Sequence, residues 1–193
     1  MTRRTSTTHP LQIASLDTPV GGRIGMTFCP GKRDLKAMTG AWDRDLLVDL
    51  RAIAGWGATV LVTLMEAHEL ELLGVPDIGE KTESLGLTWY HLPIRDVSIP
   101  GYAFEVAWHT AGAALRQKLS DGEQIVIHCR GGLGRTGVIA ARLLIELGET
   151  PDRALVRVRV ARPGAVETRE QQEFVVRRVS ELISLASDPK GRQ

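Results

Sequence analysis

The sequence predicts a three-layer α/β fold in which a mainly parallel central sheet is flanked by helices. Two continuous apolar runs, at residues 59–64 and 125–129, are typical of strands that are buried on both faces of a parallel sheet. Around them lie segments whose apolar residues recur at helical spacing, such as residues 43–54 and 102–119. This alternation predicts β-α-β units, because neighbouring parallel strands need a long crossover connection that is usually a helix.

The same patterns assign the elements in chain order. The predicted strands are residues 23–28, 59–64, 87–92 and 125–129. The predicted helices are residues 43–54, 67–73, 102–119, 135–147, 151–161 and 171–185. Gly148 ends one of these helices, and Pro151 suits the first turn of the next, because its fixed φ is already helical. Two loops that contain proline, residues 93–101 and 162–170, precede the helices at 102–119 and 171–185.

Length and composition predict one globular domain. The chain has 193 residues, of which 43% are hydrophobic and 24% charged, and this is enough to bury a core. We expect the domain to span residues 1–193, with loose tails at residues 1–18 and 186–193. The net charge of +1 gives no global field for nucleic acid or an anionic membrane, and no run of about 18 apolar residues suits a membrane span. A cytoplasmic monomer is the default expectation.

The two cysteines, Cys29 and Cys129, belong to no C-x-x-C pair and to no His/Cys cluster with zinc spacing. No metal site is therefore expected. A disulfide between them is not expected either, since a cytoplasmic chain of this size needs no such cross-link. The position of Cys29 in the sequence gives no reason to expect contact with Cys129. The basic turn nearby, Lys32-Arg33, either edges a site or is simply solvated.

A glycine-rich loop, HCRGGLGRTG at residues 128–137, connects the last predicted strand to the helix that follows it. Ligands bind at this kind of junction in open α/β sheets. Gly131, Gly132 and Gly134 allow positive φ, so that successive N–H groups can converge on an anion at the positive end of the helix. Arg135 adds a planar guanidinium that can hold two phosphate oxygens at once. The expected phosphate-binding residues are Arg130, Gly131, Gly132, Leu133, Gly134 and Arg135.

Cys129 lies at the base of this loop. The N–H groups, the helix dipole and the guanidinium that attract phosphate also favour a thiolate, which makes this cysteine a nucleophile aimed at phosphorus. Each feature has a structural explanation when it is taken singly: the cysteine ends a buried strand, the arginine is a charge at a helix start, and the glycines form a turn. The occurrence of all three together with His128 and Thr136 favours the functional interpretation. A Walker-type nucleotide loop is excluded, because it ends in Gly-Lys-Ser/Thr and this loop ends in Gly-Arg-Thr.

The loop resembles the signature of the cysteine-dependent protein tyrosine phosphatases, in which His-Cys is followed by five residues, an arginine and a serine or threonine. Further stretches resemble the cyclin-dependent-kinase-associated phosphatase branch of the dual-specificity class. They are PGK at residues 30–32, WDRDL at 42–46, LPIRD at 92–96 and RPGAVETREQQEF at 162–174. One departure is Thr136, where that branch carries serine. A rhodanese-like sulfurtransferase also uses a cysteine loop, but that loop is usually shorter and lacks the Arg-Thr-Gly ending.

The resemblance implies a protein tyrosine phosphatase-like fold. It also implies a phosphatase without metal or cofactor, acting on phosphotyrosine, phosphoserine or phosphothreonine of a phosphorylated protein. Cys129 would attack phosphorus to form a phosphocysteine held by Arg135 and the loop amides.

Asp96, in the loop where the family carries its mobile acid, would protonate the leaving oxygen. The structural alternative for Asp96 is an ordinary Asx-turn. Glu105 and Asp121 are rival acids, but they fall on a helix and in a turn.

Three further residues have expected roles. The Thr136 hydroxyl should reach and support the departing thiolate. Gln171 matches the family's water-positioning glutamine, and Gln172 is its neighbouring rival. By strand alternation, His128 should point away from Cys129 and orient the loop by hydrogen-bonding its backbone.

Two other functions stay open at this point. A phosphoinositide phosphatase is one, although such loops tend to carry lysines beside the glycines, whereas this loop offers only Arg130. A phosphoprotein-binding module with little turnover is the other, although the nucleophile, arginine, hydroxyl and acid are all present. Hydrolysis of a generic aryl phosphate separates an enzyme from a binding module.

Overall fold

The sheet at the centre of the molecule has five strands. The computed structural model describes residues 3–37, 40–181 and 184. The sheet contains β1 (Ala14–Asp17), β2 (Arg23–Phe28), β5 (Val60–Thr63), β6 (Thr88–His91) and β7 (Gln124–Cys129), and a separate ribbon contains β3 (Arg33–Asp34) and β4 (Trp42–Asp43). The order across the sheet is β1-β2-β7-β5-β6. Strand β1 is antiparallel to β2, and the other neighbours run parallel.

Helices flank this sheet, as predicted. They are α1 (Leu46–Gly55), α2 (Ala67–Leu72), α3 (Ile78–Ser84), α4 (Tyr102–Ser120), α5 (Gly134–Glu146), α6 (Pro151–Ala161) and α7 (Arg169–Glu173), which continues into a π-helical turn (Phe174–Arg178). Consecutive apolar residues of β5 and β7 have no exposed surface, so both faces of the sheet are covered. Each such side chain stabilises the fold by roughly 1.5–3 kcal/mol relative to an exposed one. The predicted three-layer α/β fold is confirmed.

The N-terminal segment is not the loose tail that we expected. Strand β1 pairs with β2 as an antiparallel edge strand. Further upstream, the backbone oxygens of Thr5 and His9 accept hydrogen bonds from the buried Arg44 guanidinium at 3.4 and 2.7 Å. This packing could not be predicted from the sequence, because a single residue of β1 is buried. The strand therefore shows neither an apolar run nor an alternation of apolar and polar residues. The prediction for residues 1–18 is therefore wrong from residue 3 onward.

The short elements also differ from the prediction. The β3–β4 ribbon and helix α3 were not predicted, because two-residue strands are too short to alternate and α3 has one large apolar residue, Ile78, so it shows no periodicity. The last helix begins at Arg169 rather than at residue 171, because Thr168 caps it. The predicted tail at residues 186–193 lies outside the described residues.

The candidate site lies where parallel strands β2, β5 and β7 end at a common edge of the sheet. The segment after β2 carries residues 29–32, the segment after β5 leads into α2, and the segment after β7 is the glycine-rich loop. Since the carboxyl ends of parallel strands meet at one edge, residues distant in sequence come together there.

Candidate active site

The loop after β7 closes around the Cys129 sulfur. Cys129 is the last residue of β7, and α5 begins at Gly134. The Gly132 N–H donates a hydrogen bond to the Cys129 Sγ at 3.2 Å, which stabilises negative charge on the sulfur. Gly132 has a φ of 69°, and a Cβ atom at this position would lie 2.3 Å from the Thr27 carbonyl oxygen. Glycine is therefore required where the loop turns.

Arg135 is buried in the same site and is held by a residue that the sequence did not single out. Its Nη1 and Nη2 donate to the two carboxylate oxygens of Glu69 at 2.6 and 2.8 Å. Nη1 also donates to the carbonyl oxygen of Ile94 at 3.0 Å. Burial opposes the charge on Glu69, but the hydrogen bonds from Arg135 and from the backbone hold its pKa below the usual range. This bidentate pair fixes the plane of the guanidinium.

A sequence signal for Glu69 exists, but it indicates a helix rather than a site. The Glu66 N–H donates to Glu69 Oε2 at 2.9 Å, an arrangement typical of a helix start with acidic residues three positions apart. This spacing could have placed the start of α2. Nothing local shows that the carboxylate also reaches Arg135, because that contact depends on the packing of β5 beside β7.

Asp96 reaches the guanidinium from the loop after β6. Its Oδ1 lies 2.8 Å from Arg135 Nη2, and its side chain is 50% exposed. The Val97 N–H donates to the same Asp96 oxygen at 3.0 Å. Val97 has a φ of 58°, which is a strained conformation for a β-branched residue. The loop thus holds Asp96 against Arg135 while leaving it open to solvent.

These groups line one cleft, which we call the active-site cleft. Its lining includes Lys32, Asp96, Cys129, Arg130, Arg135 and Gln171. Both rival acids are engaged elsewhere: Glu105 pairs with Arg142 at 2.7 Å, and Asp121 accepts a hydrogen bond from Gln117 at 2.9 Å. Asp96 is therefore the predicted acid that the structure places beside the nucleophile.

His128 lies next to Cys129 in β7 but does not line the active-site cleft. Its ring is fully buried, and its Nε2 is 2.8 Å from the Thr63 Oγ1 on β5. Burial lowers the pKa of His128 to about 3, although a contact with the Cys129 backbone opposes this shift. The neutral imidazole joins β5 to β7. The hydrogen bond to Thr63 orients its ring toward the neighbouring strand, and its contact with the Cys129 backbone lies in the loop, where we expected one.

The Thr136 hydroxyl does not reach Cys129 in this structure. Its Oγ1 is fully buried and has no hydrogen-bond partner among the described residues. The Gly132 amide contacts the sulfur instead. The hydroxyl of a helical threonine divides between two χ1 rotamers. The expected thiolate contact is thus not made by the rotamer present.

The structure separates the two glutamines. The Gln171 Oε1 accepts hydrogen bonds from the Glu167 and Thr168 amides at 3.0 and 3.3 Å. Its Nε2 donates to the Ser98 carbonyl oxygen at 3.2 Å, which joins the start of α7 to the loop that carries the acid. Gln172 points elsewhere, because its Oε1 accepts from Arg159 at 3.0 Å. Of the two, only Gln171 lines the active-site cleft.

Two arginines connect the loop to neighbouring segments. Arg130 pairs with Asp34 at 2.9 Å, which links the loop to the segment after β2. Arg162 donates from Nε to the Gly132 carbonyl oxygen at 2.5 Å and from Nη2 to the Gly131 carbonyl oxygen at 3.1 Å. Because carbonyl oxygens that point to Arg162 leave the amides facing inward, this arginine stabilises the anion-binding form of the loop.

Cys29 lies closer to the loop than its sequence position suggested. The parallel register pairs Phe28 with Cys129, and the next residue, Cys29, donates its N–H to the Arg130 carbonyl oxygen at 3.4 Å. Both thiols are free. Burial raises the pKa of the Cys29 thiol well above its ordinary value, so Cys29 stays protonated.

The chemistry available follows from the side chains that meet here. They are a thiol, a guanidinium, a carboxyl and an amide, which together can attack phosphorus, bind its oxygens and move a proton.

Within the described ranges, no cluster of three or more His, Cys, Asp and Glu side chains is arranged to hold a metal ion. None of the described helices is long and apolar enough to cross a membrane.

Comparison with known sequences points to the same chemistry. Human cyclin-dependent kinase inhibitor 3 is 28% identical over 135 residues, which cover 68% of this chain and 62% of that protein. Putative tyrosine phosphatase 067L of Invertebrate iridescent virus 3 is 33% identical over 124 residues, which cover 56% of this chain and 52% of the viral protein. The match thus spans less than two thirds of the length of these relatives.

Solved structures share the fold. Kinase associated phosphatase, with its catalytic-site cysteine replaced by serine, superposes with a TM-score of 0.78 at 24% identity, over 91% of this chain and 97% of the other. The active form of Tk-PTP superposes with a TM-score of 0.65 at 27% identity, over 87% and 97% of the two chains. The predicted protein tyrosine phosphatase-like fold is confirmed.

One family model matches the chain directly. It is described as "Tc-R-P: Polymorphic toxin system, DSP-PTPase phosphatase" and matches residues 40–149, more than half of the chain. This range contains Asp96 and the whole cysteine loop. The match shows that the chain belongs to the DSP-PTPase phosphatase family, and its similarity to cyclin-dependent kinase inhibitor 3 agrees with this.

Proposed function

We propose that this protein hydrolyses phosphotyrosine and phosphoserine or phosphothreonine in proteins through a phosphocysteine intermediate. One observation carries the proposal: Cys129, Arg135 and Asp96 meet in one cleft, with Asp96 only 2.8 Å from the guanidinium. A nucleophile, a fixed cation and a solvent-accessible acid are the three parts that phosphate-ester cleavage by covalent catalysis needs.

In the first step, the Cys129 sulfur attacks phosphorus in line with the leaving oxygen. The S–P bond forms while the P–O bond to the substrate breaks. Arg135, held rigid by Glu69, and the loop amides bind the equatorial phosphoryl oxygens. Protonated Asp96 gives its proton to the leaving oxygen, so the side chain departs as a neutral alcohol or phenol.

In the second step, water attacks the phosphocysteine. Ionised Asp96 takes a proton from this water, the P–O bond forms, and the S–P bond breaks to release phosphate. Gln171 is the group that positions the water, because it lines the cleft and is tied to the loop after β6 through Ser98. Rotation of Thr136 brings its unpartnered hydroxyl to the departing thiolate.

Two features support a dual-specificity substrate range. The family model describes a dual-specificity phosphatase, and the relatives include a cyclin-dependent kinase inhibitor and a putative tyrosine phosphatase. The acid is half exposed at the mouth of the cleft, so it can reach the ester oxygen of a short side chain as well as that of a long one.

The test is a comparison of kcat/KM for phosphotyrosine peptides, phosphothreonine peptides and soluble phosphoinositides, with an aryl phosphate as reference. We expect hydrolysis of both kinds of peptide. A tyrosine preference above about 10³-fold, or roughly 4 kcal/mol of transition-state discrimination, contradicts dual specificity. A lipid preference indicates a phosphoinositide phosphatase. Binding of phosphopeptides without turnover of any substrate indicates a binding module.

A further inference from the structure

Lys32 is buried in the active-site cleft without an anionic partner. The residue is only 7% exposed and lines the cleft together with Cys129. Its Nζ lies 4.7 Å from the ring centre of Phe28 and 4.5 Å from that of Trp42. Within the described part of the chain, this ammonium makes neither an ion pair nor a hydrogen bond. Of the two alternatives for this turn, Lys32 therefore edges the site rather than being solvated.

The two arginines that line the cleft differ in this respect, because each of them has an anionic partner. Arg135, which is equally buried, has the two oxygens of Glu69. Arg130 has Asp34. Aromatic faces hold the Lys32 ammonium by its charge, but they leave its three N–H groups without acceptors. An anion that enters the cleft and accepts hydrogen bonds from these N–H groups is therefore bound favourably.

The groups that we expect to bind substrate phosphate lie on a different segment from Lys32. The phosphoryl group is enclosed by the loop amides and Arg135, which the loop after β7 supplies, whereas Lys32 follows β2. Asp34 stands in the same part of the cleft as Lys32, but its ion pair is with Arg130, and it makes none with the lysine. The position thus suits an anion carried by the substrate beside its phosphorylated residue.

We propose that Lys32 is a second anion-binding residue of the cleft, and that it selects phosphopeptides with a carboxylate or second phosphate beside the phosphorylated residue. This inference rests on the proposed function, since it names the substrate class of the same site. Its role is in substrate specificity, and it requires no covalent chemistry at the lysine.

The charge of Lys32 gives the proposal a pH signature. Burial lowers the pKa of Lys32 to about 8. The other groups that face it are the Cys29 thiol, which stays protonated, Asp34, which stays ionised, and the arginines Arg44 and Arg130. The preference for a second anion should therefore be present below pH 8 and be lost as the pH rises through about 8.

Binding to the Cys129→Ser protein measures this preference without turnover. Calorimetry would compare phosphotyrosine peptides with neutral neighbours, with aspartate neighbours and with a second phosphate, and a soluble inositol polyphosphate as the lipid-headgroup arm. At pH 7 we expect tighter binding of the two anionic peptides. Adding Lys32→Met should reduce this preference about tenfold, the usual worth of a hydrogen bond to a charged group.

Two matched variants keep the test sharp. Lys36→Met removes the same charge from an exposed lysine of the same cleft, and it should change the preference less than about twofold, because water screens it. Lys32→Arg should retain the preference at pH 9, where the wild-type lysine has lost it, since arginine stays charged. This second comparison remains decisive if Lys32→Met fails to fold.

Several results overturn the inference. They are an equal loss in Lys36→Met and Lys32→Met, a preference that does not change between pH 7 and pH 9, and tighter binding of the inositol polyphosphate than of either anionic peptide. Failure of the proposed function has a different readout, namely no hydrolysis of an aryl phosphate by the wild-type enzyme. The binding comparison still reports on Lys32 in that case.

Discussion

At the scale of single residues, the site depends on Cys129, Arg135 and Asp96, and on the carboxylate of Glu69, which holds Arg135 in place. Arg135 contacts both Glu69 and Asp96, so the guanidinium connects the acid to the carboxylate that positions Arg135. A substrate phosphate would replace Asp96 at Nη2 without disturbing the two Glu69 bonds. The Asp96 contact is therefore the exchangeable one.

Replacing the nucleophile should separate chemistry from binding. Cys129→Ser should abolish turnover while the protein stays folded and still binds vanadate, because a serine hydroxyl keeps its proton in the same field. Steady-state kinetics and circular dichroism check this. More than about a tenth of the wild-type kcat in the purified variant would remove Cys129 from the role of nucleophile.

Replacing the acid should depend on the leaving group. Asp96→Asn should lower kcat by roughly 10²–10⁴ with phosphopeptides. The loss should shrink with aryl phosphates whose leaving group needs no proton. If the wild type and Asp96→Asn share the same basic limb in their pH-rate profiles, another residue is the acid.

The Glu69–Arg135 pair should contribute to stability as well as to positioning. Glu69→Gln should cost about 2 kcal/mol of unfolding free energy at pH 7, because two charge-assisted hydrogen bonds are weakened. The pKa of Glu69 is lowered in the folded protein, so this contribution is present above its ordinary value of 4.5 and is lost as the pH falls through the folded-state value.

Urea unfolding of the wild type and Glu69→Gln, at pH 7 and at about pH 3, measures this difference. The gap between the two proteins should narrow at the acid pH. A gap that is independent of pH contradicts the assignment. At pH 7 the variant should also lose kcat/KM, because the guanidinium is no longer held flat against the phosphate position.

At the scale of elements, the loop after β7 is shaped by its contact with the neighbouring strand. Gly132 passes so close to the Thr27 backbone that a side chain cannot fit, while a Cβ atom at Gly131 would meet no atom within 4 Å. The two glycines thus form a natural pair for testing the loop. Arg162 acts on both, since it binds the carbonyl oxygen of each.

Gly132→Ala should destabilise the protein by about 2–4 kcal/mol, through the left-handed backbone and the clash with Thr27. The matched control, Gly131→Ala, should stay within about 0.5 kcal/mol of wild type. Thermal unfolding of the two variants measures both values. Equal destabilisation would show that close approach to β2 does not determine the shape of the loop.

At the scale of the whole molecule, the features that could be predicted from the sequence are those that depend on residues close together in the chain. Strands β5 and β7 are continuous apolar runs, and the cysteine loop is one uninterrupted motif, so both were predicted near their observed positions. Asp96 was predicted because it lies in a loop bounded by prolines, where the family that the chain resembles carries its mobile acid, and the structure brings it to Arg135.

What could not be predicted depends on contacts between distant segments. Glu69 belongs to the site only because β5 lies beside β7, and β1 is a strand only because β2 offers it an edge. Lys32 looks solvated in sequence, and its burial results from Phe28 and Trp42, which different elements supply. Thr136 was predicted as a residue of the site, but its hydroxyl makes no contact with the sulfur, because a motif specifies the residue and not its rotamer.

The central claim is that phosphate passes through Cys129, and trapping the intermediate tests it most directly. The wild-type enzyme would be mixed with an activated aryl phosphate, quenched rapidly in acid, digested and examined by mass spectrometry. We expect a phosphorylated peptide whose phosphate is on Cys129, in larger amount in Asp96→Asn, because the second step loses its base. Multiple turnovers with no phosphate on Cys129, or with phosphate on another residue, would contradict the account.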